Sequence, residues 1–204
     1  MNIILGSQSP GRAKVLKEAG YDFSVMHSSI DEKAIRSANF EELPLLIARA
    51  KAEALLSLIT EQSIPIPTLI SHDNSILITA DLVVVCDGEL REKPTSRREA
   101  ECFLKSYSNN VARTISAVVV TNTLTGERRE GVDIATVYFK EIPNSVIEAM
   151  LAKGEVMHGA GALIVEDPLI EAYVERIEGD MDSVIGLPMR LVKEYLSFYG
   201  QHLG

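Results

Sequence analysis

The stretch Asn2-Ile3-Ile4-Leu5-Gly6-Ser7-Gln8-Ser9-Pro10-Gly11-Arg12-Ala13-Lys14 sets a short apolar run against small and hydroxyl residues, with a basic helix start immediately after. Residues 3–5 read as a short buried strand, and residues 10–19 as a helix that Gly20 stops. The junction gathers backbone amides, two hydroxyls and two cations at a helix N-terminus, where exposed N–H groups and the helix dipole favour an anion. Ser9 as an N-cap and Pro10 in the first turn also stabilise helices that bind nothing, so this segment alone leaves both readings open.

Strand and helix signals continue outward from that junction. Residues 21–26 alternate like a second strand. The best helix spans 41–59, with Leu43, Ile47, Ala50, Ala54 and Leu58 expected on one apolar face and Pro44 in the first turn. A Pro-punctuated connection follows at 63–67, and His72-Asp73-Asn74 reads as a turn. Strand material over 76–86 is closed by the hairpin pair Asp87-Gly88. Ser96 and Glu99 form a capping-box pattern at the start of another helix. Residues 111–121 and 128–139 read as a long hairpin turning at Thr125-Gly126. A helix over 143–153 ends at Gly154, residues 169–177 alternate as a strand, and a last helix follows Pro188. Early alternation with a hairpin-like middle predicts an α/β fold with a mixed sheet.

A chain of 204 residues suits one large domain or two small ones. No apolar run approaches bilayer length, so no membrane association is expected, and the opening residues do not read as a signal peptide. Cys86 and Cys102 read as buried thiols of a reducing compartment, which predicts a cytoplasmic protein. The net charge of −9 argues against a nucleic-acid polymer as partner, because backbone binding needs dense Lys and Arg. A small phosphorylated ligand is still accommodated where a few cations converge. His27, His72, His158 and His202 are scattered and receive no catalytic role.

Several groups are candidates for chemistry. Gly6 to Ala13 has nearly the spacing of a P-loop, but Arg12 stands where the lysine belongs and Ala13 where Ser or Thr would hold Mg²⁺. Pro10 also removes an amide from the cradle. Asp81 at the edge of the apolar run Leu82-Val83-Val84-Val85 is costly unless paired, hydrogen-bonded or metal-bound. Lys51 borders the apolar stripe of the long helix and is long enough to reach along it, although a snorkelling surface lysine gives the same pattern. Arg91-Glu92-Lys93-Pro94 follows the predicted hairpin, and Asp31-Glu32 follows the second strand.

The order and spacing of these groups resemble the Maf family of nucleoside triphosphate pyrophosphatases over residues 3–196. Ser7-Gln8-Ser9-Pro10-Gly11-Arg12 is similar to the family's opening Ser-x-Ser-Pro-Arg-Arg motif. Asp31-Glu32, Lys51, Asp81 and Lys93-Pro94 resemble its acidic pair, helix lysine, strand aspartate and Lys-Pro. Ala160-Gly161-Ala162, Ile177-Glu178-Gly179 and Val184-Ile185-Gly186-Leu187-Pro188 resemble its closing motifs. The resemblance implies one domain over 1–204, with a mixed, strongly bent sheet flanked by helices and two lobes about a cleft, as in inosine triphosphate pyrophosphatases. It also implies an enzyme that cleaves a nucleoside triphosphate to the monophosphate and pyrophosphate with Mg²⁺ or Mn²⁺. The substrate would be a non-standard, modified or pyrimidine nucleotide. A homodimer is a possible assembly, and a non-catalytic nucleotide-binding regulator of cell division is the alternative.

On that resemblance, Arg12, Lys51 and Lys93 would neutralise phosphate charge and Ser7 would help position the phosphates. Glu32 and Asp81 would supply oxygen ligands for the metal, with Asp81 open to acting instead as the base for the attacking water. Gly11 stands where the family usually has the first of two arginines or, in one subgroup, a bulky residue before a pair of arginines. A lost arginine there is one that Lys14 or Arg91 would have to offset. Glu166 stands where many thymidine/uridine-preferring members of the family carry Gln. A carboxylate only accepts hydrogen bonds, so it favours a base edge that presents donors, such as a cytosine amino group or guanine N1–H and N2 amino groups.

Overall fold

The computed structural model describes residues 2–60 and 75–202, with side chains described to residue 200. The predicted connection at 63–67 and the His72-Asp73-Asn74 turn lie outside the described residues. Along the chain the elements are β1 (Asn2–Gly6), α1 (Pro10–Glu18), β2 (Phe23–Val25), α2 (Leu43–Thr60), β3 (Ser75–Cys86), β4 (Glu89–Arg91) and α3 (Arg97–Ser106). They continue with β5 (Val111–Asn122), β6 (Arg128–Phe139), α4 (Asn144–Lys153), α5 (Pro168–Glu171), β7 (Val174–Glu178), α6 (Met181–Ile185) and α7 (Met189–His202). Short 3₁₀ turns occupy Glu32–Ala34, Glu155–His158 and Ala160–Ala162.

The strands form a sheet in the order β2-β1-β3-β5-β6-β7, with β4 paired to β3. β1 runs parallel to β2 and β3, whereas β4 is antiparallel to β3 and β7 to β6. The expected mixed sheet is therefore present. By contacts the chain divides into two compact units, one of residues 1–81, 116–133 and 186–204, the other of 82–115 and 134–185. β3, β5 and β6 each supply residues to both.

In the first unit, Ile4 of β1 and Leu77 of β3 pack with Leu55 and Ile59 of α2 and with Met26. Nearer the start of α2, Ala48 and Ala52 meet Ala117 and Val119 of β5, where short side chains let helix and strand approach closely. The buried stripe of α2 is Ile47, Ala48, Lys51, Ala52, Leu55 and Ile59. Leu43 and Ile47 are buried as expected, but Ala50, Ala54 and Leu58 are only half-buried. Beyond Ile47 the stripe is rotated, because two apolar rows flank each other on this alanine- and leucine-rich helix and contact with β5 selects between them. Lys51 thus lies within the buried stripe and not at its border.

The second unit is built around Val84, Phe103, Leu104, Phe139, Met150 and Val184, with the Tyr107 ring stacked on Phe139 at 5.7 Å. Local chemistry sets several boundaries as expected. Asp87 and Gly88 both take positive φ, 53° and 74°, which is the two-residue type I′ turn joining β3 to β4. The Ser96 hydroxyl accepts the Glu99 N–H at 3.2 Å, while the Glu99 carboxylate accepts from the Thr95 N–H and hydroxyl.

The strand predicted over 169–177 is corrected. Asp167 caps a short helix by accepting the Leu169 N–H at 2.9 Å, and Pro168 supplies the fixed first-turn φ. Only Val174–Glu178 is strand. Cys102 is also corrected: it is exposed, since α3 turns Ala100, Phe103 and Leu104 inward, while Cys86 is buried as expected. No helix among the described residues is long and apolar enough to cross a membrane.

Candidate active site

β1 ends at Gly6, where a Cβ would stand 2.5 Å from Leu55 Cδ1 and 2.7 Å from Thr79 Cγ2. Only glycine lets the strand end lie this close to α2 and β3. The chain then turns into α1 through Ser7, whose Oγ accepts from the Ser9 N–H at 3.2 Å and from Arg12 Nη1 at 3.3 Å. Ser9 accepts the Arg12 N–H at 3.4 Å as the helix N-cap, and Pro10 occupies the first turn. Gly11 has a helical backbone that any residue can adopt.

Arg12 points inward and is 8% exposed. Its Nε donates to the Gly186 carbonyl and its Nη1 to the Ala80 carbonyl, each at 2.9 Å. Burial pulls this guanidinium below its ordinary value, while Asp81 and Glu32 hold it up. Arginine keeps its charge in such surroundings. The side chain is therefore a fixed cation, forked onto main-chain oxygens.

Lys51 and Asp81 are each 7% exposed, and Lys51 Nζ donates to Asp81 Oδ1 at 2.7 Å. The same ammonium lies 3.0 Å from Glu32 Oε1, whose side chain is 46% exposed. Periodicity explains why the buried pair meets. Thr79 Oγ1 donates to the Ala48 carbonyl at 2.8 Å, fixing α2 against β3. Two residues along the strand, on the same face, comes Asp81, and three residues along the helix, on the same side, comes Lys51. Burial pushes the Asp81 carboxyl above its ordinary value, and Lys51 and Arg12 pull it back. Asp81 and Glu32 balance Arg12 and Lys51, so the cluster carries two charges of each sign.

The structure thus brings Ser7, Arg12, Glu32, Lys51 and Asp81 together in the first unit. Lys93 and Glu166 belong to the second unit, and both are exposed. The turn that carries Lys93 is fixed from behind. Gly161 N–H donates to the Glu92 carbonyl at 2.9 Å, and the Tyr107 hydroxyl donates to the Gly161 carbonyl at 2.7 Å. Glu166 precedes Asp167, which Lys153 pairs at 2.8 Å. The two cations considered as substitutes at Gly11 are engaged locally. Lys14 faces Glu18 at 3.9 Å, and Arg91 binds Glu89 at 3.2 Å with its guanidinium over the Phe103 ring.

Sequence reasoning did not find the Ala80 and Gly186 carbonyls or the Thr79 hydroxyl as parts of the site. A main-chain oxygen leaves no mark in residue identity. Gly186 did leave one signal, because its φ of 103° requires glycine. Among the described residues no group of three or more His, Cys, Asp or Glu is arranged to hold a metal. The Glu32–Asp81 pair is the acidic set at this site.

The model of the Maf-like protein family matches residues 2–198. A 7-methyl-GTP pyrophosphatase of Dictyostelium discoideum is 40% identical over 199 residues, covering 98% of each chain. A dTTP/UTP pyrophosphatase of Bdellovibrio bacteriovorus is 32% identical, covering 96% of this chain and 97% of its own. A nucleoside triphosphate pyrophosphatase of a Synechococcus species is 32% identical, covering 98% and 95%. A solved nucleoside-triphosphatase / dITP/XTP pyrophosphatase from Mycobacterium abscessus aligns over 70% of this chain and 75% of its own, with TM-score 0.37 and 15% identity.

Proposed function

The chain belongs to the Maf-like protein family, and from that premise we propose that it hydrolyses a nucleoside triphosphate to the nucleoside monophosphate and pyrophosphate. The observation that carries this reading is the buried Lys51–Asp81 pair with Glu32 and Arg12 around it. A triphosphate brings about four negative charges, so water attack on it needs neutralisation more than a covalent nucleophile. The fixed Arg12 and the mobile-stemmed Lys51 supply positive charge, and Ser7 with the first turn of α1 offers hydrogen bonds to phosphate oxygens. Lys93 is a further cation of the chain proposed to act on phosphate, on the family resemblance of Lys93-Pro94. Residues 1–204 act in this reading as one functional domain, which the match over residues 2–198 supports.

Glu32 and Asp81 fit a divalent cation. Both offer carboxylate oxygens, already converging on one ammonium at 3.0 and 2.7 Å, and Mg²⁺ or Mn²⁺ takes one or two such ligands with phosphate and water completing its shell. When bound, the cation would supply charge neutralisation and orientation at the reacting phosphate. Asp81 would help hold that cation, and its buried carboxyl, which burial pushes up, would alternatively suit a proton acceptor for the attacking water.

For the base, the reading favours a modified guanine nucleotide. Glu166 is exposed and accepts hydrogen bonds only, which matches the donor edge of guanine, and the 40% identical relative is named for 7-methyl-GTP. The free thiols Cys86 and Cys102 suit the reducing cytoplasm.

The test is a panel of standard and modified nucleoside triphosphates with Mg²⁺ or Mn²⁺, read for pyrophosphate and for orthophosphate. Pyrophosphate from 7-methyl-GTP above dTTP and UTP is the expected result. Release of orthophosphate with a diphosphate product overturns the reaction, and tight nucleotide binding without turnover on any base or metal would establish the regulator instead.

A further inference from the structure

We propose that Lys51 couples divalent-cation binding to triphosphate binding: in the free protein its ammonium holds the Asp81 and Glu32 carboxylates, and a cation gains both only after a triphosphate has drawn that ammonium onto its own oxygens. This rests on the reading of Asp81 and Glu32 as the cation's ligands.

The geometry is one of mutual exclusion. Lys51 Nζ sits 2.7 Å from Asp81 Oδ1 and 3.0 Å from Glu32 Oε1, bridging the two. A Mg²⁺ ion sits about 2.1 Å from its oxygens. A cation touching both of these oxygens would occupy nearly the space that Nζ fills, beside a like charge. Ammonium and metal therefore compete for one position.

Charge gives the same result. With Arg12 and Lys51 set against Glu32 and Asp81, two cationic and two carboxylate side chains, the cluster has no net formal charge. A neutral cluster concentrates neither a free divalent cation nor a free triphosphate. The two together complement it, because the triphosphate takes the lysine and the cation takes the carboxylates.

Of the two basic groups, only Lys51 is suited to move. Arg12 is forked onto the Gly186 and Ala80 carbonyls, which cannot follow it. The bonds described for Lys51 Nζ both go to carboxylates, and its charge is a compact head on a four-carbon stem. Rotation about that stem transfers the head while α2 stays fixed through Thr79 and Ala48.

The measurement is Mn²⁺ binding to the full chain, followed by the loss of the free-ion paramagnetic resonance signal with no nucleotide present. Lys51→Met should bind Mn²⁺ at least tenfold more tightly than the native protein, and the double variant Lys51→Met with Asp81→Asn should lose that gain. Equal affinity in the native protein and Lys51→Met overturns the coupling while leaving the ligand assignment standing. Equal affinity in Lys51→Met and the double variant overturns the ligand assignment itself. The native protein provides a readout that needs no variant: water-proton relaxation enhancement by protein-bound Mn²⁺ should appear only once an α,β-methylene triphosphate of guanosine is added. Full Mn²⁺ occupancy at submillimolar concentration without it overturns the proposal.

Discussion

Arg12 donates through Nε to the carbonyl of Gly186, 174 residues further along the chain, at 2.9 Å. The same guanidinium reaches the Ala80 carbonyl, so one side chain ties the start of α1 to the residue before Asp81 and to the turn before α7. Lysine has the charge but lacks the planar fork. Arg12→Lys should therefore lower stability by about 2–3 kcal/mol, the cost of charge-assisted bonds lost from buried acceptors. Urea denaturation measures it, and a variant as stable as the native protein would show that the tie is not structural.

Asp81→Asn separates charge from hydrogen bonding at the buried pair. The amide oxygen still accepts from Lys51 at the 2.7 Å position, so folding should persist with a loss of about 1–3 kcal/mol. Turnover should fall at least ~100-fold if the charge acts at the reacting phosphate as proposed. Pyrophosphate release against thermal unfolding reads both effects in the same samples. Activity that survives the substitution sinks the proposed role.

Gly11→Arg restores a cation at a helical position whose backbone does not need glycine. Relative to glycine the helix should gain about 0.5–1 kcal/mol. With Lys14 and Arg91 engaged elsewhere, the added charge should lower KM severalfold and leave kcat nearly unchanged. Steady-state kinetics on the best substrate of the nucleotide panel checks the split.

Arg49 on α2 binds Glu130 on β6 through two nitrogens, Nε to Oε2 at 2.8 Å and Nη2 to Oε1. The Arg49 hydrogen bond holds the Glu130 carboxyl below its ordinary value, against the opposing effect of burial. A depressed folded value means that the unfolded chain binds the proton first as pH falls. The pair's contribution, about 1 kcal/mol for a partly exposed bridge, is complete above the unfolded value of ~4.3 and is lost as pH drops through the folded one. The stability difference between the native protein and Glu130→Gln should be present at pH 7 and close below about pH 4.3. A difference that grows on acidification would contradict the sign.

Gly161 carries φ of 61°, and a Cβ there would lie 2.5 Å from the Tyr107 hydroxyl and 3.0 Å from Val84. Gly161→Ala should cost about 2–4 kcal/mol from left-handed strain and overpacking together. The damage should reach catalysis too, because the Gly161 N–H holds the carbonyl of Glu92 beside Lys93. Calorimetry and turnover should fall together.

What the sequence made legible was local in origin. Asp87-Gly88, Ser96 with Glu99, and Gly154 state their turns and caps in residue type, and each stands at its expected boundary. The burial of Lys51 was not legible, since α2 offers two apolar rows and only contact with β5 chooses between them. The 168–171 helix was hidden because its alternating pattern resembles a strand, while capping by Asp167 and Pro168 decides the outcome. Arg12 stood out as a cation in the opening motif, yet its partners are main-chain oxygens that residue identity does not encode.

The chain leaves and re-enters the first unit at residues 81–82, 115–116, 133–134 and 185–186, in three cases within a strand. Neither unit is a continuous segment, so no single truncation releases one of them intact. During synthesis, Ser7, Arg12, Lys51, Ala80 and Asp81 emerge early, but the acceptor of Arg12 Nε is missing until Gly186 has cleared the ribosome. Until then a newly made chain holds its charged cluster without the closing tie, and an interrupted one never acquires it. Half-made copies of this protein should therefore carry the charge cluster without the Gly186 tie that fixes Arg12 within it.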